Sequence, residues 1–427
     1  MVESLANAAS PASELSVGTF GVPLTAEATR VVLLGSGELG KELALELHRL
    51  GVEVTAVGSY VAGPAMQAAH RGHVVDMLDS DQLLNVLAVE RPHIVVPVAG
   101  RLEPGILGEI EDGGARVAPS ALALQLATDR ELLRRVIAED LGLPTPKYRF
   151  AASYAELTEA LEQVGLPAVV KPVRSAAGAG HSVVRDRLDA QAAWESAIAG
   201  GWFSSDDDAD REPRVIVEEF VPFDAELVVF VVRHRATDGS EQLVICPAIQ
   251  AVEDGGFVAA WCPPQVAPEL LARADDLALQ AVAALPGLGV FAVELLVTGD
   301  QLLVSEVSPR VVSAGFVTMA AWDLSIFALQ ARAILGLPVS PPRVIAVAAA
   351  ARGLWATGDG KPLISGIDQA LADQPSARVM LYGKPASSGR RAVGMVLATG
   401  HDVEAARDAA NQAALDIQIG FAEASAG

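Results

Sequence analysis

The sequence predicts a mixed chain: α/β at its N-terminal end, α+β beyond it, and β-rich in its C-terminal segment. Three stretches carry that expectation. Residues 30–35, RVVLLG, form an apolar run closed by glycine. The helical pattern KELALELHRLG and a second apolar run, VEVTAVGS, follow. This is a Rossmann-like βαβ opening with G-x-G-x-x-G at Gly35, Gly37 and Gly40. From Phe150 short β runs and helices alternate without the βαβ rhythm. Between Gly289 and Gly315, the runs Val290–Val297 and Gln301–Val307 flank Thr298-Gly299-Asp300. Gly-Asp between apolar runs is a hairpin signal.

A chain of 427 residues, 51% apolar and 20% charged, has the length for two or three folded domains. The net charge of −22 repels phosphate backbones and anionic lipid, which argues against a nucleic-acid or membrane-surface partner. It leaves room for a small phosphorylated ligand held by local cations. The two cysteines, Cys246 and Cys262, form no CxxC; one disulfide is possible, and a reduced cytoplasmic setting is expected. Residues 1–28 are expected to be a loose tail, since they have neither a basic n-region nor a long apolar core. The most apolar stretch, AALPGLGVFAVELLV, is broken by Pro286, Gly287 and Gly289 and carries Glu294, so no membrane span is expected.

The N-terminal unit continues with strands at HVVDM, HIVVPV and ARVAPS and a helix over Ser80–Glu90. Its second strand ends in Gly58-Ser59, where a dinucleotide site would carry a ribose-binding acid. NAD(P) is therefore a minority reading of the glycine loop. The loop could instead hold another anion at the helix start or simply pack. A helix opens at Thr128-Asp129-Arg130, with Asp129 or Thr128 as its cap, and runs to Leu141; LGLPTPKYRF then reads as a linker. A second helix runs from Ser153 to Val164. LPAVVKPV is a strand with one lysine, Lys171, followed by the small-residue loop RSAAGAGHSVVR. Such a lysine and loop suit phosphate capture, and equally an edge strand beside a mobile hairpin. Glu218-Glu219 close one β run and Glu226 lies in the next. The acidic loop 204–210 reads as solvated surface. Lys384, Arg390 and Arg391 concentrate positive charge near the C-terminal end, as a phosphate site or as a salt-bridged turn.

Glu294 and Glu306 sit one on each arm of the predicted hairpin. Pairing the arms could bring the two carboxylates together, and such a pair needs a cation, a shared proton or a basic partner. Two rim carboxylates on a solvated face is the equal alternative. The seven histidines show no metal-ligand spacing, and no transition metal is expected.

Taken together, ATRVVLLGSGELGKELALELHRLGVEVTAV, PAMQAAHRGHVVDMLD, LGLPTPKYRF, VVKPVRSAAGAG, VFAVELLV, VSEVSPR, FALQARAILGLPV and YGKP…GRR resemble the ATP-grasp superfamily. Within it the chain resembles the formate-dependent phosphoribosylglycinamide formyltransferases, from about Thr29 to the last helix. The resemblance implies an N-terminal pre-ATP-grasp domain (29–125), an ATP-grasp domain of two α+β lobes (126–340) and a C-terminal β-rich segment (341–427). It replaces the NAD(P) reading with ATP and Mg²⁺. In such enzymes a carboxylate takes the γ-phosphoryl group of ATP, and an amine then displaces phosphate from the acyl phosphate. By matching position, Arg130, Lys171 and the lid Ser175, Ala176, Ala177, Gly178, Ala179 and Gly180 would meet the phosphates. Glu218, Glu219, Val221 and Glu226 would meet the adenosine. Glu294 and Glu306 would hold Mg²⁺, and Lys171 and Arg310 would serve the chemistry. Glu38, Leu39, Ser313, Lys384, Arg390 and Arg391 would hold a phosphorylated amine. A homodimer is implied by the same analogy.

The departures concern the acceptor. Where the family reads PEIEAI, this chain has Pro97-Val98-Ala99-Gly100-Arg101-Leu102. Where it reads Pro-His-Asp-Thr-Gly after EVSPR, this chain has Val311-Val312-Ser313-Ala314-Gly315. The lid lysine is Ala179, and the acid ending the second strand is Gly58. The expectation is an ADP-forming carboxylate–amine ligase with substrates altered from formate and glycinamide ribonucleotide. The family's own formyl transfer and a non-catalytic nucleotide binder are the alternatives.

Overall fold

The computed structural model describes residues 18–98, 102, 105–175, 178–201, 213–254 and 257–422. Ala99, Gly100, Arg101, Ala176, Ala177, the acidic loop 204–210 and residues 1–17 of the tail lie outside the described residues.

The N-terminal sheet is parallel and five-stranded. Its order is Arg71–Val74, Glu53–Gly58, Arg30–Leu34, Ile94–Pro97 and Arg116–Val117. Beyond Arg30 the central strand is apolar, because both of its faces are covered. Val31 and Leu33 pack toward Leu43 and Leu47 of helix Glu38–Arg49, while Val32 and Leu34 pack toward Leu83, Leu87 and Ile106. The helix Ser80–Glu90 has the expected bounds and is capped by Asp79. The strand expected over HVVDM begins earlier, at Arg71, and ends at Val74.

The largest sheet is antiparallel and runs from hairpin arm Gln301–Ser308 through Gly289–Thr298, Ala225–Arg235, Ile249–Asp254 and Phe257–Cys262 into Ala348–Thr357, Arg390–Gly400 and Arg378–Leu381. The sheet therefore crosses the boundary expected at residue 340 without a break. Its core lies on both faces. Along Ala225–Arg235, Val228, Phe230 and Val232 face helix Ile326–Ile334 and the turn Ser313–Val317, while Leu227, Val229 and Val231 face helix Pro268–Ala283.

The third sheet is small and antiparallel, in the order Tyr148–Ala151, Val215–Glu219, Ala168–Pro172, Ser182–Val184. One face buries Ala168, Val170, Val215 and Val217 against helices Tyr154–Val164 and Ala190–Gly200. The other face looks toward the large sheet. Among the described residues no helix is long and apolar enough to cross a membrane.

Candidate active site

The register of the small sheet decides which polar groups meet. Glu218 lies opposite Val169, and Lys171 lies two residues further along the same strand. Side chains alternate with period two, so Lys171 and Glu218 leave one face, the face that is not packed on helices. Lys171 Nζ lies 2.6 Å from Glu218, and Arg134 pairs with the same carboxylate. Arg134 also donates to the carbonyls of Val304 (3.4 Å) and Ser305 (3.2 Å), tying its helix to the hairpin. Burial opposes a charge on Glu218, yet Lys171 and Arg134 hold its carboxyl below the usual carboxylate range. Glu219 alternates to the opposite face and is exposed, away from this cluster. Val221 is half-buried in the loop that follows.

Asp129 caps the helix Arg130–Arg135 by accepting from the amides of Glu131 and Leu132. That cap fixes Arg130 at the helix start, where its guanidinium donates to Pro172 O and Ser175 Oγ, both at 3.0 Å. One cation of the cleft is thus pinned to the entrance of the lid. Gly178 and Gly180 adopt left-handed backbone (φ 75° and 74°), and Ala179 is exposed between them. A Cβ on Gly180 would stand 2.9 Å from Pro172 Cγ and 3.0 Å from Ser196 O, so the base of the lid is closely seated.

On the hairpin, Glu294 lies directly opposite Glu306, with a bulge immediately after. Glu226 pairs with Leu296 on the neighbouring strand and so faces the same way as Glu294. Burial, then the Glu306 and Glu226 carboxylates, push Glu294 up to about 8, while Arg310 and Lys171 pull it back. A cation among these oxygens would replace the proton that their repulsion otherwise retains. Among the described residues no three metal-ligating side chains converge as a ready cage. Mg²⁺ does not require one: it commonly takes one or two carboxylates and completes its shell with phosphate oxygens and water. The donor set therefore fits Mg²⁺ arriving with a nucleotide. The cleft beneath is lined by Arg130, Arg134, Lys171, Glu218 and Glu306, which joins the two lobes at one place.

The remaining residues form a second compartment. Glu38, at the start of the glycine-loop helix, meets Lys384 at 2.6 Å. Lys41 donates to Leu381 O at 2.9 Å, and Gln67 donates to Gly383 O, so the C-terminal turn is fastened onto the N-terminal domain. A cleft of about 560 Å³ runs from Gly35–Gly40 past Gly58–Tyr60 to Asp76–Leu78 and Val98. Leu39, Val98, Arg310 and Val311 line its neighbour. Ser313 opens the turn Ser313–Val317 and is half-buried. A Cβ at Gly58 would stand 2.1 Å from Ser36 Oγ and 2.7 Å from Ser36 Cβ, so a side chain there needs Ser36 to shift. Arg390 lies over the Trp355 ring at 5.0 Å, and Arg391, exposed, alternates to the other side of the strand.

Two members of this cleft between the small sheet and the hairpin were not among the expected residues. Arg134 stands four residues after Arg130, one helical turn along the same face, a signal present in the sequence. His181 follows the lid. It becomes visible only once Ser182 is paired with Val170, which places it across from Lys171.

This arrangement of a two-lobed cleft, a carboxylate hairpin and a small-residue lid beside Arg130 and Lys171 is that of an ATP-grasp enzyme, and an ATP-grasp domain model matches residues 136–327. A second model, the PurT C-terminal domain, matches residues 354–417. The chain is 45% identical over 405 residues to the formate-dependent phosphoribosylglycinamide formyltransferase of Nitratidesulfovibrio vulgaris (strain Hildenborough), covering 94% of this chain and 100% of that one. It is 46% identical to the enzyme of the same name from Rhodococcus jostii (strain RHA1), covering 93% and 97%. Among solved structures, glycinamide-RNase-transformylase T from Mycobacterium tuberculosis superposes with a TM-score of 0.74 at 32% identity, over 91% of this chain and 100% of that one. The N5-carboxyaminoimidazole ribonucleotide synthetase of Thermus thermophilus gives 0.75 at 27% identity, over 93% and 100%. The chain belongs to the formate-dependent phosphoribosylglycinamide formyltransferase family. ATP and Mg²⁺ are the cofactors of its class, and the minority NAD(P) reading of the glycine loop is set aside. The disulfide allowed by the cysteine count is not formed: Cys246 and Cys262 are both free and buried.

Proposed function

We propose that this chain catalyses ATP-dependent transfer of a formyl group from formate to the amine of phosphoribosylglycinamide. Formate oxygen takes the γ-phosphoryl group, ADP leaves, and the amine then attacks the formyl carbon and expels phosphate. The observation that carries this reading is the Glu38–Lys384 pair at 2.6 Å, which sets a cation of the C-terminal turn against the start of the glycine-loop helix, beside the cleft that Glu38 lines. Full-length relatives of the same name support it, and favour it over the altered-substrate expectation.

Glu294 and Glu306 would hold Mg²⁺, which when bound neutralises phosphate charge during transfer. Arg130 and Lys171 orient the phosphates, and Arg310, within electrostatic reach of Glu294, stands at the junction of the two compartments. By analogy with the family the enzyme works as a cytoplasmic homodimer.

A second reading keeps the ATP chemistry and changes the nucleophile. It is favoured by Val98 and Ser313, which stand where the family carries acids, and by the apolar wall of Leu39 and Val311 beside them. A charge-assisted partner lost at a buried amine is worth about 1.5–3 kcal/mol. The test is ADP release with Mg·ATP across a panel of small carboxylates, each with and without the ribonucleotide. Turnover with formate plus phosphoribosylglycinamide supports the first reading. Turnover with another acid–nucleophile pair and none with formate supports the second. ATP binding without turnover by any pair refutes the first.

A further inference from the structure

We propose that Arg116 and Arg235 form an anion site at the seam between the parallel sheet and the large sheet, taking a small oxyanion, either a phosphoryl group or a carboxylate. Neither residue lines the cleft along the glycine loop or the cleft between the small sheet and the hairpin, so the site is separate from both.

The seam is closely fitted. A Cβ on Gly287 would stand 2.0 Å from Pro119 O, so the loop after helix Pro268–Ala283 presses on the chain leaving strand Arg116–Val117. Arginines arrive there from both sides. Arg116, on the edge of the parallel sheet, donates to the carbonyl of Ile334, the last residue of helix Ile326–Ile334. Arg233 and Arg235 end strand Ala225–Arg235 and, two residues apart, leave the face that packs on helix Pro268–Ala283. Arg233 is engaged: it donates to Val282 O and Leu285 O at 2.9 Å and to Ala283 O at 3.2 Å. Glu241 lies directly across the ladder from Arg235, yet its ion pair is with Arg233, at 3.8 Å.

Arg116 and Arg235 lack such partners. Among the described residues Arg235 has no ion pair and no side-chain hydrogen bond, and the Nε of Arg116 and that of Arg235 are both buried without an acceptor. Capping Ile334 occupies part of the Arg116 fork and leaves its Nε–H unused. The charged group acting on Arg116 is Arg235 itself. Burial, and then the like charge of Arg235, draw the Arg116 guanidinium below its usual range. A guanidinium does not shed its proton to escape this, so the two charges stay. Half-buried like charges with orphaned donors carry a cost that packing does not relieve. The chain holds 53 acidic residues against 31 basic ones, so carboxylates are plentiful, yet none is set between these two. An oxyanion between them would supply the countercharge and the acceptors together, and the planar arginine fork matches phosphate and carboxylate oxygens alike.

The experiment is equilibrium dialysis of the full chain against radiolabelled inorganic phosphate and, separately, acetate, at constant ionic strength and with ADP present throughout. The variants are Arg116→Met, Arg235→Met and Lys384→Met. The expected result is a bound anion that survives Lys384→Met and is weakened about 10-fold or more by either arginine variant, the effect of losing a hydrogen bond between charged groups. Tighter binding of phosphate assigns a phosphoryl ligand and tighter binding of acetate a carboxylate; either supports the site. Thermal melts give a second readout. In chloride alone Arg235→Met, which breaks no hydrogen bond and removes a like charge, should melt no lower than the parent, while the bound anion should raise the parent's melting temperature more than the variant's. Arg116→Met loses the cap on Ile334, so if it does not fold, Arg235→Met decides alone. Anion affinity unchanged in Arg235→Met overturns the proposal. So does an anion lost with Lys384→Met, which would lie in the compartment beside Glu38, or a parent that binds neither anion. An Arg235→Met chain that melts below the parent in chloride overturns it as well, because that marks a packing role.

Discussion

Replacing Glu218 by glutamine removes the carboxylate that Lys171 and Arg134 share. Glu218 is 4% exposed and Arg134 7%. After Glu218→Gln, Arg134 keeps the carbonyls of Val304 and Ser305, at 3.4 and 3.2 Å, and the Tyr148 ring at 5.5 Å, but has lost its carboxylate and stays buried as a charge. Breaking a buried pair by removing one partner costs about 3–5 kcal/mol. Lys171 retains access to the cleft and can turn toward water, so the lower end applies, about 3 kcal/mol. That is roughly a 150-fold change in the folding constant. The pH dependence has a definite sign. The folded carboxyl is held below its unfolded value, so its contribution is complete above the unfolded value of about 4.3 and is lost as pH falls through the folded one. Urea unfolding of parent and variant at pH 7 and pH 3, with ADP affinity measured at pH 7, tests this. A midpoint unchanged at pH 7 would refute the reasoning. A stability difference as large at pH 3 as at pH 7 would show that the loss is not electrostatic.

Glu294→Gln should lower Mg²⁺-dependent turnover by at least about 100-fold. In EDTA at pH 8 the same variant should melt higher than the parent, because burial and the Glu306 and Glu226 carboxylates raise the native carboxyl and cost stability as pH climbs toward about 8. For the same reason Mg²⁺ should raise the parent's melting temperature more at pH 8 than at pH 6, read by scanning fluorimetry. Gly58→Asp should destabilise the N-terminal domain by about 1–3 kcal/mol, through overpacking against Ser36 Oγ, and adding Ser36→Gly should recover most of that loss in a thermal melt. Lys384→Met should raise the KM for a phosphorylated acceptor by roughly 10-fold or more while ADP affinity holds, because Lys384 pairs with Glu38 and not with the nucleotide cluster.

Local pattern made much of this fold legible. Glycine punctuation and unbroken apolar runs gave the parallel strands, and Asp129 gave the cap on which Arg130 depends. The helix Ala121–Thr128 escaped because its apolar residues show no periodic face, although Ser120 caps it. The hairpin was readable from its turn at Gly299-Asp300, but the opposition of Glu294 and Glu306 was not. Unbroken pairing about that turn sets Glu294 opposite Ser305, and it is the bulge after Glu294, which nothing in Leu295 or Ser305 announces, that brings Glu306 across from it. The compartment proposed for the acceptor was only partly open to local reading: charge marked Lys384 as a phosphate site or a salt-bridged turn, but Glu38 and Lys384 come together only through the closed fold. The same holds for Arg390, whose position over Trp355 depends on how two strands of the C-terminal segment pair.

The fastening of the C-terminal turn onto the glycine-loop helix sets an order on the ribosome. Lys41 and its acceptor at Leu381 are 340 positions apart. Domains generally fold as they emerge, N-terminal first. The parallel sheet can close early, and Glu294, Glu306 and Arg310 are all made before the strands Ala348–Thr357 and Arg390–Gly400 cover the edge at Phe257–Cys262. Until then the glycine loop has no Lys384 beside it. A nascent chain can therefore complete the Glu294–Glu306 hairpin well before Lys384 meets Glu38, and it is a later-translated segment that completes the compartment proposed for the acceptor.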